Sequence, residues 1–117
     1  MNVVGLPISE FAGQAGQATS LLKVMANEFR LLVLCYLVEN KELSVGELGE
    51  RVGLSQSALS QHLARLRDEG LVTTRKEAQT VFYRVCDPRA AQLLALLHDL
   101  FCPELGQERP TNSNRSS

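Results

Sequence analysis

The hydrophobic period of the chain changes at Gly70. Upstream, Leu59, Leu63 and Leu66 recur at spacings of three and four, the stripe of a helix that buries one face. Downstream, LVTTRK and TVFYRV are rich in β-branched and aromatic residues. A short polar turn, about Glu77 to Gln79, separates them, so the pattern predicts a β-hairpin. Just before the leucine-striped helix lies another short one. Ser44 is followed three residues later by Glu47, the spacing of a capping box. Gly53 stops this shorter helix and Ser55 caps the next. SVGELGERV, GLS and QSALSQHLARLRDEG thus read as a helix-turn-helix, with the hairpin as its wing.

The flanking segments extend the helical pattern. Ala18, Leu21, Leu22 and Met25 predict a first helix. Asn27 is placed to cap a second, running through FRLLVLCYLV, which is apolar nearly all round. That pattern implies burial, at the centre of the domain or in a dimer core. Asn40 to Leu43 reads as a connection. Asp87-Pro88 gives a cap followed by a first-turn proline, opening a last helix with Leu93, Leu94, Leu97 and Leu100. The expected fold is mainly α with a β-hairpin wing, a winged helix-turn-helix of four helices, hairpin and final helix. A length of 117 residues suits one core. Residues 1–13 read as a flexible lead-in, 14–105 as the DNA-binding and dimerisation domain, and 106–117 as a disordered tail without large apolar residues.

The second helix of such a pair lies in the DNA major groove, where small or polar side chains allow the backbone to approach base edges. Gln56, Ser57, Ser60 and Gln61 lie opposite the leucine stripe and meet that need. Gln61 has the two-pronged geometry for adenine, and the serines can reach bases or phosphates. Ala64 leaves room, and Arg65 is within a side chain's reach of a phosphate. The net charge of −1 says nothing of nucleic acid, but the stretch from Arg51 to Arg84 is locally +3. Arg75, Lys76 and Gln79 would set a wing beside the phosphate backbone. A protein-only interaction module is the rival reading of the same surface; its binding would lack the salt dependence of phosphate contacts.

Three cysteines, Cys35, Cys86 and Cys102, are too few and too far apart for a secreted disulfide framework. They fit inert buried thiols or a redox device. No secretory leader or membrane-length apolar run is evident, so a cytoplasmic location is expected. No Cys-x-x-Cys and no phosphate-cradling glycine loop is present, which argues against a thiol-based redox enzyme and for no cofactor. His62 reads as structural, and His98 as a solvated residue or a thiol activator.

LSQSALSQHLARLRDEGLVTTRKEAQTVFYRV resembles the DNA-binding core of the ArsR/SmtB family of winged-helix repressors. His62-Leu63, the EGLV turn and Tyr83 carry the likeness, and MANEFRLLVLCYL is similar to the family's second helix. The resemblance implies a homodimer joined through its first and last helices, bound to an inverted-repeat operator on double-stranded DNA. Many relatives sense metals. Their Cys-x-Cys site falls here on Val45-Gly46-Glu47-Leu48, and their Asp-x-His on Asp87-Pro88-Arg89, so those ligand sets are missing. A zinc site from Asp87, His98 and Cys102 across the dimer is the remaining metal alternative. SVGEL, LSQSALSQHL and GLVTTRKEAQTV are most similar to the persulfide-sensing BigR/SqrR/HlyU subgroup. That likeness implies that Cys35 and Cys102 are bridged by reactive sulfur species, with loss of DNA affinity. Cys86 has no counterpart in the pair.

Overall fold

The computed structural model describes residues 8–102. The elements run α1 (Ile8–Ala12), α2 (Ala15–Met25), α3 (Glu28–Asn40), β1 (Leu43–Ser44), α4 (Val45–Val52), α5 (Gln56–Asp68), β2 (Val72–Glu77), β3 (Thr80–Val85) and α6 (Pro88–Phe101). The winged helix-turn-helix is therefore as expected, with two additions. Part of the lead-in, residues 8–12, forms a helical turn that buries no side chain. The connection after Asn40 contains a two-residue strand, β1, that pairs with β3 through Leu43↔Tyr83 and Ser44↔Phe82. The sheet has the order β1-β3-β2. The rest of the lead-in, 1–7, and the tail, 106–117, lie outside the described residues.

Local chemistry explains where the elements stop. The Asn27 side chain accepts hydrogen bonds from the Phe29 and Arg30 amides at 3.0 and 3.1 Å, opening α3. Arg30 Nε donates to the Val24 carbonyl at 2.6 Å, satisfying an acceptor near the end of α2. Both halves of the Ser44–Glu47 capping box form. Ser55 accepts from the Ala58 amide at 3.2 Å. At the end of α5, Gly70 takes a φ of 81°. Its amide donates to the Arg67 carbonyl, and the Leu71 amide donates to Leu66. This is the paired closure of a Schellman motif, whose left-handed residue favours glycine. Leu66 and Leu71 are both buried, so the motif carries the chain straight from helix core into strand core. The switch in hydrophobic period at Gly70 is this motif.

The core gathers Val33, Leu34 and Leu37 from α3, Leu48 from α4, and Leu59, Leu63 and Leu66 from α5, with Leu94 from α6. Each buried leucine contributes roughly 1.5–3 kcal/mol through removal from water. The helices of the reading pair are thereby fixed to α3 on their inner sides.

Three of the helices carry a buried and an exposed apolar face. The apolar helix α3 is buried on one face only; Leu32, Cys35 and Val38 are exposed. The stripes on the first and last long helices are likewise split. Leu21 and Met25 are buried while Leu22 is 54% exposed, and Leu94 is buried while Leu100 is 63% exposed. Periodicity identified the helices, but within one chain it did not sort their core faces from a second apolar face.

Candidate functional site

The candidate reading face is built on α5. With Leu59, Leu63 and Leu66 held inward, Gln56, Ser57, Ser60, Gln61, Ala64 and Arg65 stand in solvent. Ser55 caps the helix, so its first turn is fixed where Gln56 and Ser57 begin. Arg65 lies 3.7 Å from Glu69, an exposed one-turn ion pair that costs little to open. His62 is half-buried, its ring 6.1 Å from that of Phe29 and tilted 31°. It therefore helps seat α5 against the start of α3, in line with the structural role expected of it.

The wing residues are arranged unequally. Lys76 and Gln79 are exposed, and Lys76 makes no ion pair among the described residues. Arg75 is engaged within the chain. It pairs with Glu42 and with Glu77, and its Cζ sits 4.8 Å from the centre of the Phe82 ring. These bonds favour the charged forms, holding the Glu42 carboxyl below its ordinary range and raising Arg75. Glu42 was not expected at the wing, because it lies 33 residues from Arg75 in sequence.

Cys35 projects from α3, Cys102 caps the end of α6, and these helices pack together. Between them is a groove of about 480 Å³ lined by Cys35, Val38, Glu39, Leu94, Ala95, His98 and Asp99. All three cysteines are free thiols. Although Cys35 is exposed, the groove walls thin its hydration and raise its pKa, and the neighbouring Cys102 and Glu39 raise it further. Cys86 stands apart. Its amide donates to the Leu71 carbonyl at 2.9 Å and its thiol to the Gly70 carbonyl at 3.4 Å, tying the end of β3 to the start of β2.

Asp87 is engaged elsewhere. It is almost buried, caps α6 and pairs with Arg89, which keeps its carboxyl below the usual range. Within a chain it sits at the opposite end of α6 from His98 and Cys102, about 20 Å away at 1.5 Å per residue. Among the described residues no group of three or more His, Cys, Asp or Glu side chains is placed to hold a metal ion. Nor is any of their helices long and apolar enough to cross a membrane.

Residues 27–74 match the family model described as bacterial regulatory protein, arsR family. Over 95 residues the chain is 57% identical to the transcriptional activator HlyU of Vibrio cholerae, covering 81% of this chain and 87% of that one. The chain belongs to the ArsR family. Its fold matches that of reduced HlyU from Vibrio cholerae with a TM-score of 0.75 and 58% identity, over 80% of this chain and 97% of that one. It matches the transcriptional repressor BigR from Xylella fastidiosa with a TM-score of 0.78 and 39% identity, over 83% and 98%. This ArsR-family chain is accordingly a DNA-binding transcriptional regulator, not an enzyme. It falls within the HlyU/BigR subgroup.

Proposed function

We propose that this protein represses transcription as a homodimer and releases its operator when Cys35 and Cys102 become bridged by reactive sulfur species. The observation that carries the proposal is the packing of α3 on α6, with both thiols free and the groove between these helices lined by Cys35 on one side and by the last turns of α6 before Cys102 on the other. Gln56, Ser57, Ser60 and Gln61 would read bases or phosphates in the major groove, with Arg65, Lys76 and Gln79 on the phosphate backbone. Leu22 on α2, and Leu96, Leu100 and Phe101 on α6, form exposed apolar faces that suit a second copy of the chain. The dimer would set two α5 helices against the half-sites of an inverted repeat.

The chemistry balances with an organic persulfide as oxidant. One thiolate attacks the outer sulfur of the persulfide; the organic thiol leaves and a cysteine persulfide remains. The second thiolate attacks the cysteine-bound sulfur and expels sulfide. The two thiols lose two electrons, the transferred sulfur gains them, and the products are a disulfide, the organic thiol and hydrogen sulfide. If both cysteines are persulfidated first, attack of one on the other gives a trisulfide and hydrogen sulfide. A trisulfide spans a wider gap than the roughly 4.4–6.8 Å between Cα atoms that a simple disulfide usually requires. Either bridge would fix α3 to α6, change the dimer geometry and misplace the two reading helices.

Fluorescence anisotropy with a labelled duplex of the protein's own promoter tests this. Reduced protein should bind tightly, and an organic persulfide should weaken binding at least about tenfold, reversibly by dithiothreitol. Cys35→Ser and Cys102→Ser should bind as the reduced protein does and ignore the persulfide. Tight binding by the persulfide-treated wild type would sink the switch while leaving the DNA reader intact.

A further inference from the structure

The three strands of the sheet bring Arg75 and Glu42 together. Arg75 on β2 is directly opposite Phe82 on β3, and Phe82 is opposite Ser44 on β1. Opposed residues of antiparallel strands project from the same face. The Arg75 side chain therefore lies over the Phe82 ring and reaches across the central strand to Glu42, next to β1. Its Nε donates to both Glu42 carboxylate oxygens, at 3.2 and 3.3 Å, and Nη2 donates to Oε1. Nη1 donates to Glu77 Oε1 at 2.8 Å. All three guanidinium nitrogens are thus occupied, and one ring face supports the group.

We propose that Arg75 is a positioning residue that fastens the wing to the end of α3, and that it is not a phosphate contact of the DNA-binding surface. Gripping a phosphate would require Arg75 to give up two carboxylates. Glu42 and Glu77 would then stand uncompensated beside a polyanion, opposing the contact they had been displaced by. Lys76 has neither obstacle. It projects from the opposite face of β2, shared with buried Val72 and half-buried Thr74, and is free of ion pairs among the described residues. Phosphate binding by the wing therefore falls to Lys76, with Gln79 at the turn.

The fastening point matters as much as the fastened strand. Glu42 follows α3 by two residues, after Lys41, whose φ of 69° turns the chain out of the helix. Glu42 is also held to that turn, its amide donating to the Asn40 carbonyl at 2.7 Å. The clasp consequently links the wing to the helix that carries Cys35, independently of the helix-turn-helix between them.

A charge-balanced cycle separates positioning from contact. The full chain and its Glu42→Gln, Arg75→Gln and double variants are titrated into a labelled duplex of its own promoter over a range of salt. If Arg75 positions the wing, each single variant weakens binding several-fold. The double variant, equal in charge to the wild type, is then no weaker than the worse single one, and its dependence of log K on log salt keeps the wild-type slope. Lys76→Gln, by contrast, lowers that slope by about 0.9, the loss of one phosphate contact. Tighter binding by Glu42→Gln, or a slope reduced by about 0.9 in the double variant, would show that Arg75 grips phosphate and would overturn the assignment. Wild-type affinity in all three variants would overturn it as well.

Discussion

The reading unit and the thiol-bearing surface are completed to different degrees within one chain. In the reading unit, α4 and α5 start on their own caps, stop at glycines and bury their leucines, and Arg75 of the hairpin is paired within the chain. Around the thiols, α6 runs out with Leu100 and Phe101 at 63% and 78% exposed, beside a free thiol and an open groove. A surface that must present a fixed shape to DNA is finished locally. Under the proposed function, a surface that responds and meets a second chain retains apolar area and reactive groups that the single chain does not satisfy.

The same substitution placed in each region should break or confirm this contrast. Leu63→Ala in the reading unit removes a fully packed side chain and should cost about 2–5 kcal/mol in denaturant unfolding. Leu100→Ala should cost the single chain about 0.5 kcal/mol or less, as exposed positions do. Its main effect should be on self-association, read by analytical ultracentrifugation. At dilutions where the chain is monomeric by ultracentrifugation, a loss from Leu100→Ala as large as that from Leu63→Ala would mean the two regions are equally complete. In the reading unit, Gln61→Ala should cost about 1–3 kcal/mol of discrimination at one operator position, measured by competition with base-substituted duplexes. It should leave persulfide reactivity unchanged.

Smaller effects sharpen the comparison. Ser44→Ala should lower stability by about 1 kcal/mol through loss of the cap, with unchanged thiol reactivity. At the thiol surface, burial, Cys102 and Glu39 raise the pKa of Cys35, so less thiolate is present at a given pH below it. Glu39→Gln removes one of these causes and should lower that pKa. The pH profile of Cys35 alkylation should then shift to lower pH, with faster alkylation near neutrality and the same plateau at high pH. A shift to higher pH would contradict the electrostatic account. The smallest effect belongs to the hairpin turn, where Ala78 has a φ of 55°. Ala78→Gly relieves that left-handed strain and should raise the thermal midpoint slightly, by no more than about 1 kcal/mol in stability.

What sequence made legible was local. Caps at Asn27, Ser44, Ser55 and Asp87 depend on residues two or three positions away, and all four form. Gly53 and Gly70 punctuate through backbone freedom alone, and both occur at positive φ. Position in space was less legible. Leu22 and Leu100 share the helical spacing of buried Leu21 and Leu94, yet neither is buried, because hydrophobic spacing does not distinguish a core from an unpartnered apolar face. The pairing of β1 with β3 and the Glu42–Arg75 clasp join residues far apart in the chain, for which no short-range pattern exists. The proposed partnership of Cys35 and Cys102 rests on family resemblance, and the packing of α3 on α6 is compatible with it.

Ser44 belongs to two elements at once. It pairs with Phe82 at the end of β1, and its hydroxyl and amide form the capping box that opens α4. Releasing it from either partner exposes the groups that serve the other. Local opening should therefore not treat helix-turn-helix and wing as separate units. Amide hydrogens at the start of α4 and along the β1-facing side of β3 should exchange with solvent at one common rate, and a perturbation that frees one should be felt as lost protection in both.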